Sequence, residues 1–244
     1  MNLVDTHAHL DFTKDVEGWL ERTKAEGVNK IICVGTSVAA SRKCAEIAQK
    51  YSSSDLQIYS SVGIHAQDGK DDVRKFGSFF KCIDELKRIA KSSSKVVAVG
   101  ECGYDVHLKQ EKHRSLLVCG NIKRETSDEE KQFQRELFKA QIRLAAELNL
   151  PILIHCRNAW NDTFSLLSTD YGLPTPPGVF HSWTGNWEAA EKALDLGFYI
   201  SFSGIVTFGN APQVAEVASK MPLDRMLLET DSPFLTPEPL RSEY

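Results

Sequence analysis

The chain has 244 residues, 42% of them hydrophobic and 25% charged, with a formal net charge of −4. This is the balance of a soluble globular protein, and its acidity argues against a general nucleic-acid coat, though not against a local basic site. No apolar run approaches the ~20 residues that span a bilayer, and the start MNLVDTHAHL has neither the basic nor the apolar region of a signal peptide, so no membrane partner is expected.

The first apolar run, LVDTHAHL (3–10), places His7 and His9 two residues apart. In a strand they share a face, with Asp5 beside them. Two imidazoles on one face can bind one metal ion, yet an isolated His-x-His is as readily a strand edge with two solvated histidines. The next runs are KIICVGT (30–36), IYSSVGI (58–64), VVAVGECG (96–103), PILIHCR (151–157), GVFHSW (178–183), FYISFSG (198–204) and RMLLETD (225–231). Helical patterns such as VEGWLERTKAEG, ASRKCAEIAQKY, FFKCIDELKRIAK, FQRELFKAQIRLAAELN and NWEAAEKALDLG lie between them. Cys33, Cys102 and Cys156 fall in the strand-like runs as small hydrophobes. The six cysteines show no paired spacing, which excludes a zinc ribbon or a disulfide framework and makes a reducing cytoplasm the default.

Strands alternating with helices imply βαβ units and a parallel sheet, and eight of them most simply close into an α/β (β/α)8 TIM barrel, one domain over 1–244. An open doubly wound sheet is the alternative. It would carry a glycine-rich phosphate loop after the first strand, where this chain has HAHLDFTKD. Two irregularities stand out. Residues 105–128 form a long insertion after strand four, hence on the face where such barrels do chemistry. After strand eight only SPFLTPEPLRSEY remains, too short and proline-rich for an eighth helix. The seam there is expected to expose an apolar groove that a dimer could cover.

Active groups of a parallel barrel sit at the C-terminal strand ends. His7 and His9 close strand one, Glu101 lies near the end of strand four and His155 near that of strand five. His181 is in strand six, and Asp231 is the last residue of strand eight. Singly, each has a bland explanation: a core histidine, a capping acid, a turn. Together, four histidines and two carboxylates in apolar strands would cost several kcal/mol per carboxylate to bury unpaired, and bound metal removes that cost.

The motifs VDTHAHLDF, VGIHAQD, AVGECGYD, PILIHCRNA, FHSWTGN, YISFSGIVTF and LLETDSPFLTP, in that order, resemble the TatD family of metal-dependent deoxyribonucleases, from Val4 to about Arg241. The resemblance implies a two-metal hydrolase acting on DNA, single-stranded and from the 3′ side. It implies that His7, His9, Glu101 and Asp231 hold one divalent ion, and that Glu101 bridges to a second, held also by His155 and His181. Related amidases bridge their metals with a modified lysine on strand four, where this chain has Glu101. The ions could be Mg, Mn or Zn: histidine favours Zn, carboxylates with a phosphate substrate favour Mg or Mn. The family pattern Gly-x-His-Pro-His is here GIHAQD, so His65 carries over as a substrate contact or proton donor, while Ala66 and Gln67 depart from it. The family's long C-terminal helix has no counterpart, and Trp183 stands where the family has phenylalanine.

Asp231 is the candidate general base as well as a ligand. Arg157, on the face of His155, suits a phosphate oxygen, with a salt bridge as the alternative. Glu229, one layer below Asp231, could orient a ligand histidine. Trp183 shares a face with His181 and is the stacking candidate, ahead of Trp160 and Trp187. Lys109, Lys112, Arg114, Lys123 and Arg124 in the insertion could hold a polyanion, although Glu111, Glu125 and Asp128 dilute them. A hydrolase of an amide or small phosphoester, and a non-catalytic protein with a structural metal, are the competing readings.

Overall fold

The computed structural model describes residues 2–106, 109–111, 122–124, 126–169 and 171–243. All eight expected strands form: β1 (Leu3–Ala8), β2 (Val28–Cys33), β3 (Gln57–Val62), β4 (Val96–Asp105), β5 (Ile152–Arg157), β6 (Gly178–Phe180), β7 (Tyr199–Phe202) and β8 (Met226–Leu228). They make one sheet in sequential order, every neighbouring pair parallel. This is the (β/α)8 barrel, with strands generally ending earlier than the apolar runs that announced them.

Helices α1 (Val16–Ala25), α2 (Val38–Tyr51), α3 (Gly69–Phe76), α4 (Phe79–Ser92), α5 (Asp128–Leu148), α6 (Trp160–Leu167), α7 (Trp187–Asp195) and α8 (Pro212–Lys220) fill the seven crossovers, two of them between β3 and β4. Their starts are written in the sequence. Side chains of Asp15, Ser37, Ser78 and Asn186 accept a backbone N–H of the first turn of α1, α2, α4 and α7, and Ser127 with Glu130 forms a reciprocal capping box on α5. The strands are buried from both sides: Ile31, Ile58, Val99, Ile152, Ile154, Phe180 and Ile200 are fully buried between sheet and helices. No helix among the described residues is long and apolar enough to cross a membrane.

The barrel closes unevenly. Between β1 and β8 there is one bridge, Ala8 to Ser232, together with Asp231 N–H to His7 C=O (2.9 Å) and His9 N–H to Ser232 C=O (2.8 Å). Side chains replace the rest of the ladder. The Asp5 carboxylate accepts from the Thr230 backbone N–H (3.0 Å) and hydroxyl (2.7 Å), and the Thr6 hydroxyl donates to Leu228 C=O (2.9 Å). Asp5 is therefore a clamp across the seam. Outside it, Val4 and Leu228 are 43% and 58% exposed. Among the described residues no α-helix follows β8, only a 3-10 turn over Leu240–Glu243.

In the insertion, Lys109–Glu111 and Ile122–Arg124 pair as a short antiparallel ribbon. The side chains of Lys109, Lys112, Arg114, Lys123 and Arg124, expected to meet a polyanion, lie outside the described residues.

Candidate metal centre

Five ionisable side chains converge on Glu101 at the mouth of the barrel. Glu101 reaches the interior through an irregularity: the β4–β5 register slips between Val99 and Cys102, and the Glu101 N–H donates to Gly35 C=O (2.9 Å). A bulge of this kind re-aims a side chain. It needs backbone room, which two glycines provide. A Cβ on Gly63 would lie 2.3 Å from the carbonyl carbon of Gly100. One on Gly100, where φ is +141°, would lie 2.4 Å from Leu153 O.

Glu101 Oε1 then lies 2.9 Å from His155 Nδ1 and 2.8 Å from His181 Nε2, and Oε2 lies 3.5 Å from His7 Nε2. His155 Nδ1 and His181 Nε2 are 3.0 Å apart, and the His7 and His181 rings stack at 4.1 Å. On the other side, His7 Nε2 and His9 Nε2 are 3.2 Å apart, and Asp231 Oδ1 is 3.4 Å from the first and 3.2 Å from the second. The six candidate ligands are thus brought together, though three do not sit where strand reading put them. His9 follows the end of β1 and precedes the 3-10 turn Leu10–Phe12. His181 is one residue past β6. Asp231 is three residues past β8, at φ +57°, a left-handed conformation that aspartate tolerates and that turns its carboxylate back over β1.

The electrostatics are those of a cation site. Burial would raise the Glu101 carboxyl, but the His181 charge and hydrogen bonds from His155 and His181 outweigh it and hold it well below the usual carboxylate range. Burial works against charge on His181 too, yet Glu101 and Glu229 raise it well above its ordinary value. His155 and His9 are raised in the same way, by Asp105 with Glu101 and by Asp231 with Glu101, against burial. Asp231 is lowered, the His9 hydrogen bond and the charges of His7 and His181 exceeding its burial. Without a metal, protons on His9, His155 and His181 stand in for it.

The donor set fits divalent cations. Ligand atoms of His7, Glu101 and His181 lie within 4.8 Å of one another, as do those of His7, His9 and Asp231. A third group, His65, Asp105 and His155, is equally close, but it uses the opposite edge of the His155 ring. Nδ1 faces Glu101 and His181, and Nε2 lies 3.7 Å from Asp105 Oδ2. The Nδ1 side, where three groups meet at or under 3.0 Å, is the more convergent. Asp105 therefore reads as the outer partner of His155, as Glu229 Oε1, 3.4 Å from His181 Nδ1, does for His181. Asp105 was open to discovery in GECGYD, where it follows Glu101 by four residues. Gln67, which departs from the family pattern, donates to Asp105 Oδ2 at 2.5 Å.

His65 stands at the rim with Nε2 3.7 Å from Glu101 Oε1. The Gln67 N–H donates to its Nδ1, leaving the proton on Nε2, and burial lowers it to about 4, so the ring is neutral at pH 7. Arg157 ends β5 and is exposed, forming no ion pair with another described residue. Trp183 is the correction. Its face relation to His181 suggested a stacking surface, but the ring is 1% exposed, packed on Trp160 at 4.4 Å and Phe180 at 5.7 Å, with its indole N–H on Gly185 C=O (2.9 Å). The chain turns at Ser182 (φ +43°), which breaks the strand alternation on which the expectation rested. Trp183→Phe is expected to cost about 1–3 kcal/mol and lower Tm by several degrees in a thermal melt. An unchanged Tm would put the indole back at the surface, where the stacking role was expected.

The chain is similar to known proteins over nearly its whole length. The family model described as TatD related DNase matches residues 4–244. An uncharacterized metal-dependent hydrolase of Bacillus subtilis, YabD, is 37% identical over 244 residues, covering 99% of this chain and 84% of its own. A protein of Klebsiella pneumoniae named 3′-5′ ssDNA/RNA exonuclease TatD is 30% identical, over 94% of this chain and 76% of its own. The crystal structure of the TatD homolog YJJV from Escherichia coli superposes with a TM-score of 0.77 at 26% identity, covering 97% and 82% of the two chains.

Proposed function

The chain belongs to the TatD family of metal-dependent hydrolases, and from that membership we propose that it hydrolyses the phosphodiester bonds of DNA, removing nucleotides from the 3′ end of single strands. The observation that carries this reading is the position of Glu101, whose two oxygens face His155 and His181 on one side and His7 on the other. One carboxylate between two clusters of imidazoles is the arrangement that a pair of cations needs. The named exonuclease relative supports the choice of substrate.

His7, His9, Glu101 and Asp231 would hold one divalent ion, and Glu101, His155 and His181 a second, drawn from Mg, Mn or Zn. Such a pair supplies a water of lowered pKa and neutralises the charge of a phosphate in line with its leaving oxygen. The chain's own groups do the rest. Asp231, ionised at neutral pH, would accept the proton of the attacking water. His65, neutral with its proton on Nε2, donates a hydrogen bond to a phosphate oxygen. A group this easily deprotonated suits substrate contact better than proton donation. Arg157 offers its guanidinium to the next phosphate, and Glu229 and Asp105 fix the ring orientations of His181 and His155.

The test begins with protein stripped by chelator and reloaded with Mg, Mn or Zn separately. A 5′-labelled single strand should then give a ladder that shortens with time only in the loaded samples. Protein that binds two ions and leaves the strand intact with each metal would overturn the nuclease reading and favour an amide or a small ester.

A further inference from the structure

Two phenyl rings flank the metal centre with much of their surface in water. Phe12 ends the 3-10 turn that follows β1, and Phe234 lies in the loop after β8. They are 58% and 48% exposed, whereas Phe180 and Trp183 nearby are 0% and 1% exposed. Both rings make edge contacts with the His9 imidazole at 5.8 Å, and they meet each other at 5.5 Å with their planes at 78°. Their backbones are tied to the candidate ligands themselves: the Phe12 N–H donates to His9 C=O (3.2 Å) and the Phe234 N–H to Asp231 C=O (2.8 Å). The rings therefore hold a fixed place relative to the centre.

We propose that Phe12 and Phe234 form a one-sided stacking platform for an unpaired nucleobase whose own phosphate lies at the metal centre; this rests on the nuclease reading above. Stacking suits any base, because every base has a π-face, and it adds affinity without sequence preference. The 78° angle between the rings decides the form of the site. Nearly perpendicular rings do not clamp a base between parallel faces. One presents its face while the other packs edge-on behind it, an arrangement aromatic pairs favour. The slot takes one base, and that base must have a free face. Bases inside a duplex have both faces covered, so the platform selects single strands or frayed ends. Its contact with His9 places the stacked base beside the candidate ligands.

The experiment uses the metal-loaded full chain, Phe12→Leu with Phe234→Leu as the main variant and the double alanine variant as a second. Leucine keeps an apolar side chain and removes the ring. Metal content and thermal melting are measured on each protein, and the leucine variant decides if the alanine variant misfolds. A single strand carrying 2-aminopurine at its 3′ end, joined through a non-hydrolysable linkage, reports stacking by the change in its fluorescence. Cleavage is compared on a normal strand and on one whose 3′-terminal base is missing. Wild type should change the probe's fluorescence and show a KM about ten-fold lower for the normal strand. The double variant should lose the fluorescence change and most of that KM difference, with kcat and metal content kept. An equal fluorescence change and an unchanged KM ratio in the variant would overturn the platform while leaving the nuclease reading in place. Wild type that cleaves neither strand would overturn both. A variant changed only in its oligomeric state, with the KM ratio kept, would assign the rings to contact between copies instead and overturn the platform.

Discussion

On the proposed two-ion nuclease reading, Glu101→Gln should lower kcat for phosphodiester cleavage by at least about a hundred-fold, and bound metal should fall from two ions per chain to one or none. The substitution changes almost no volume, so the loss isolates charge. In the native chain Glu101 Oε1 lies 2.9 Å and 2.8 Å from two imidazole nitrogens while Oε2 faces a third at 3.5 Å. An amide there offers one neutral oxygen and one N–H donor, so the second cation has neither its anionic ligand nor its shared one. Without metal, the raised His181 and His155 lose their main counter-charge, and the variant's metal-free form should melt below the wild type. Metal analysis beside single-turnover cleavage checks both halves. A variant that holds two ions and cleaves at the native rate would remove Glu101 from its bridging place.

Metal removal should change stability in a way that depends on pH. In the metal-free chain the His181 pKa is raised well above 6.5 and the Glu101 pKa lowered well below 4.5. The sign follows from linkage. The histidine's contribution is full below pH 6.5 and is lost as pH rises through its folded value. The carboxylate's contribution is full above pH 4.5 and is lost as pH falls through its folded value. Through these two groups metal-free protein should weaken as pH rises above about 6.5, while the neutral His65, lowered to about 4 by burial, works the other way below that pH. Loaded protein behaves oppositely at the upper end, because ligands bind metal only after losing their protons. The gap in Tm between loaded and stripped samples should widen from pH 6 to pH 8. At a free metal concentration a thousand times Kd, binding should be worth about 4 kcal/mol. Melting curves at three pH values with and without chelator test this. A gap that narrows as pH rises would show that protons and metal do not compete for these imidazoles.

The two ends of the chain illustrate how much of the site could be read in advance. His7 and His9 were legible because Val4–Leu10 is apolar around them and because the same chemistry recurs at the ends of later strands. Their partners Glu101, His155, His181 and Asp231 were legible for the same reason, since buried charge in strand-forming sequence calls for a counter-charge. Glu229 was expected to orient a ligand histidine from alternation with Asp231, but the strand ends at Leu228, and its place beside His181 comes from the loop that follows. Trp183 was not legible, because the turn at Ser182 cancels the alternation and folds the indole into the core. Phe12 and Phe234 gave no signal at all. They are far apart in sequence, and either could have been an ordinary core residue.

By itself, the sequence determined the class of this protein: period-two runs and helical repeats in strict alternation leave a parallel barrel as the simplest closed form. Polar residues at the C-terminal strand ends then imply a metal centre, and the motifs in register add a resemblance to a family of metal-dependent hydrolases. Local rules suffice there, because strand, helix and cap are each decided within a few residues. Tertiary structure alone decided what depends on distance between segments. It set the bulge that turns Glu101 inward and the Asp5–Thr230 clamp that closes the seam. It also chose which edge of His155 faces the centre, and it brought Phe12 beside Phe234. These are pairwise geometries between distant segments, and no local propensity encodes them, because the backbone must first close before β1 and β8 become neighbours.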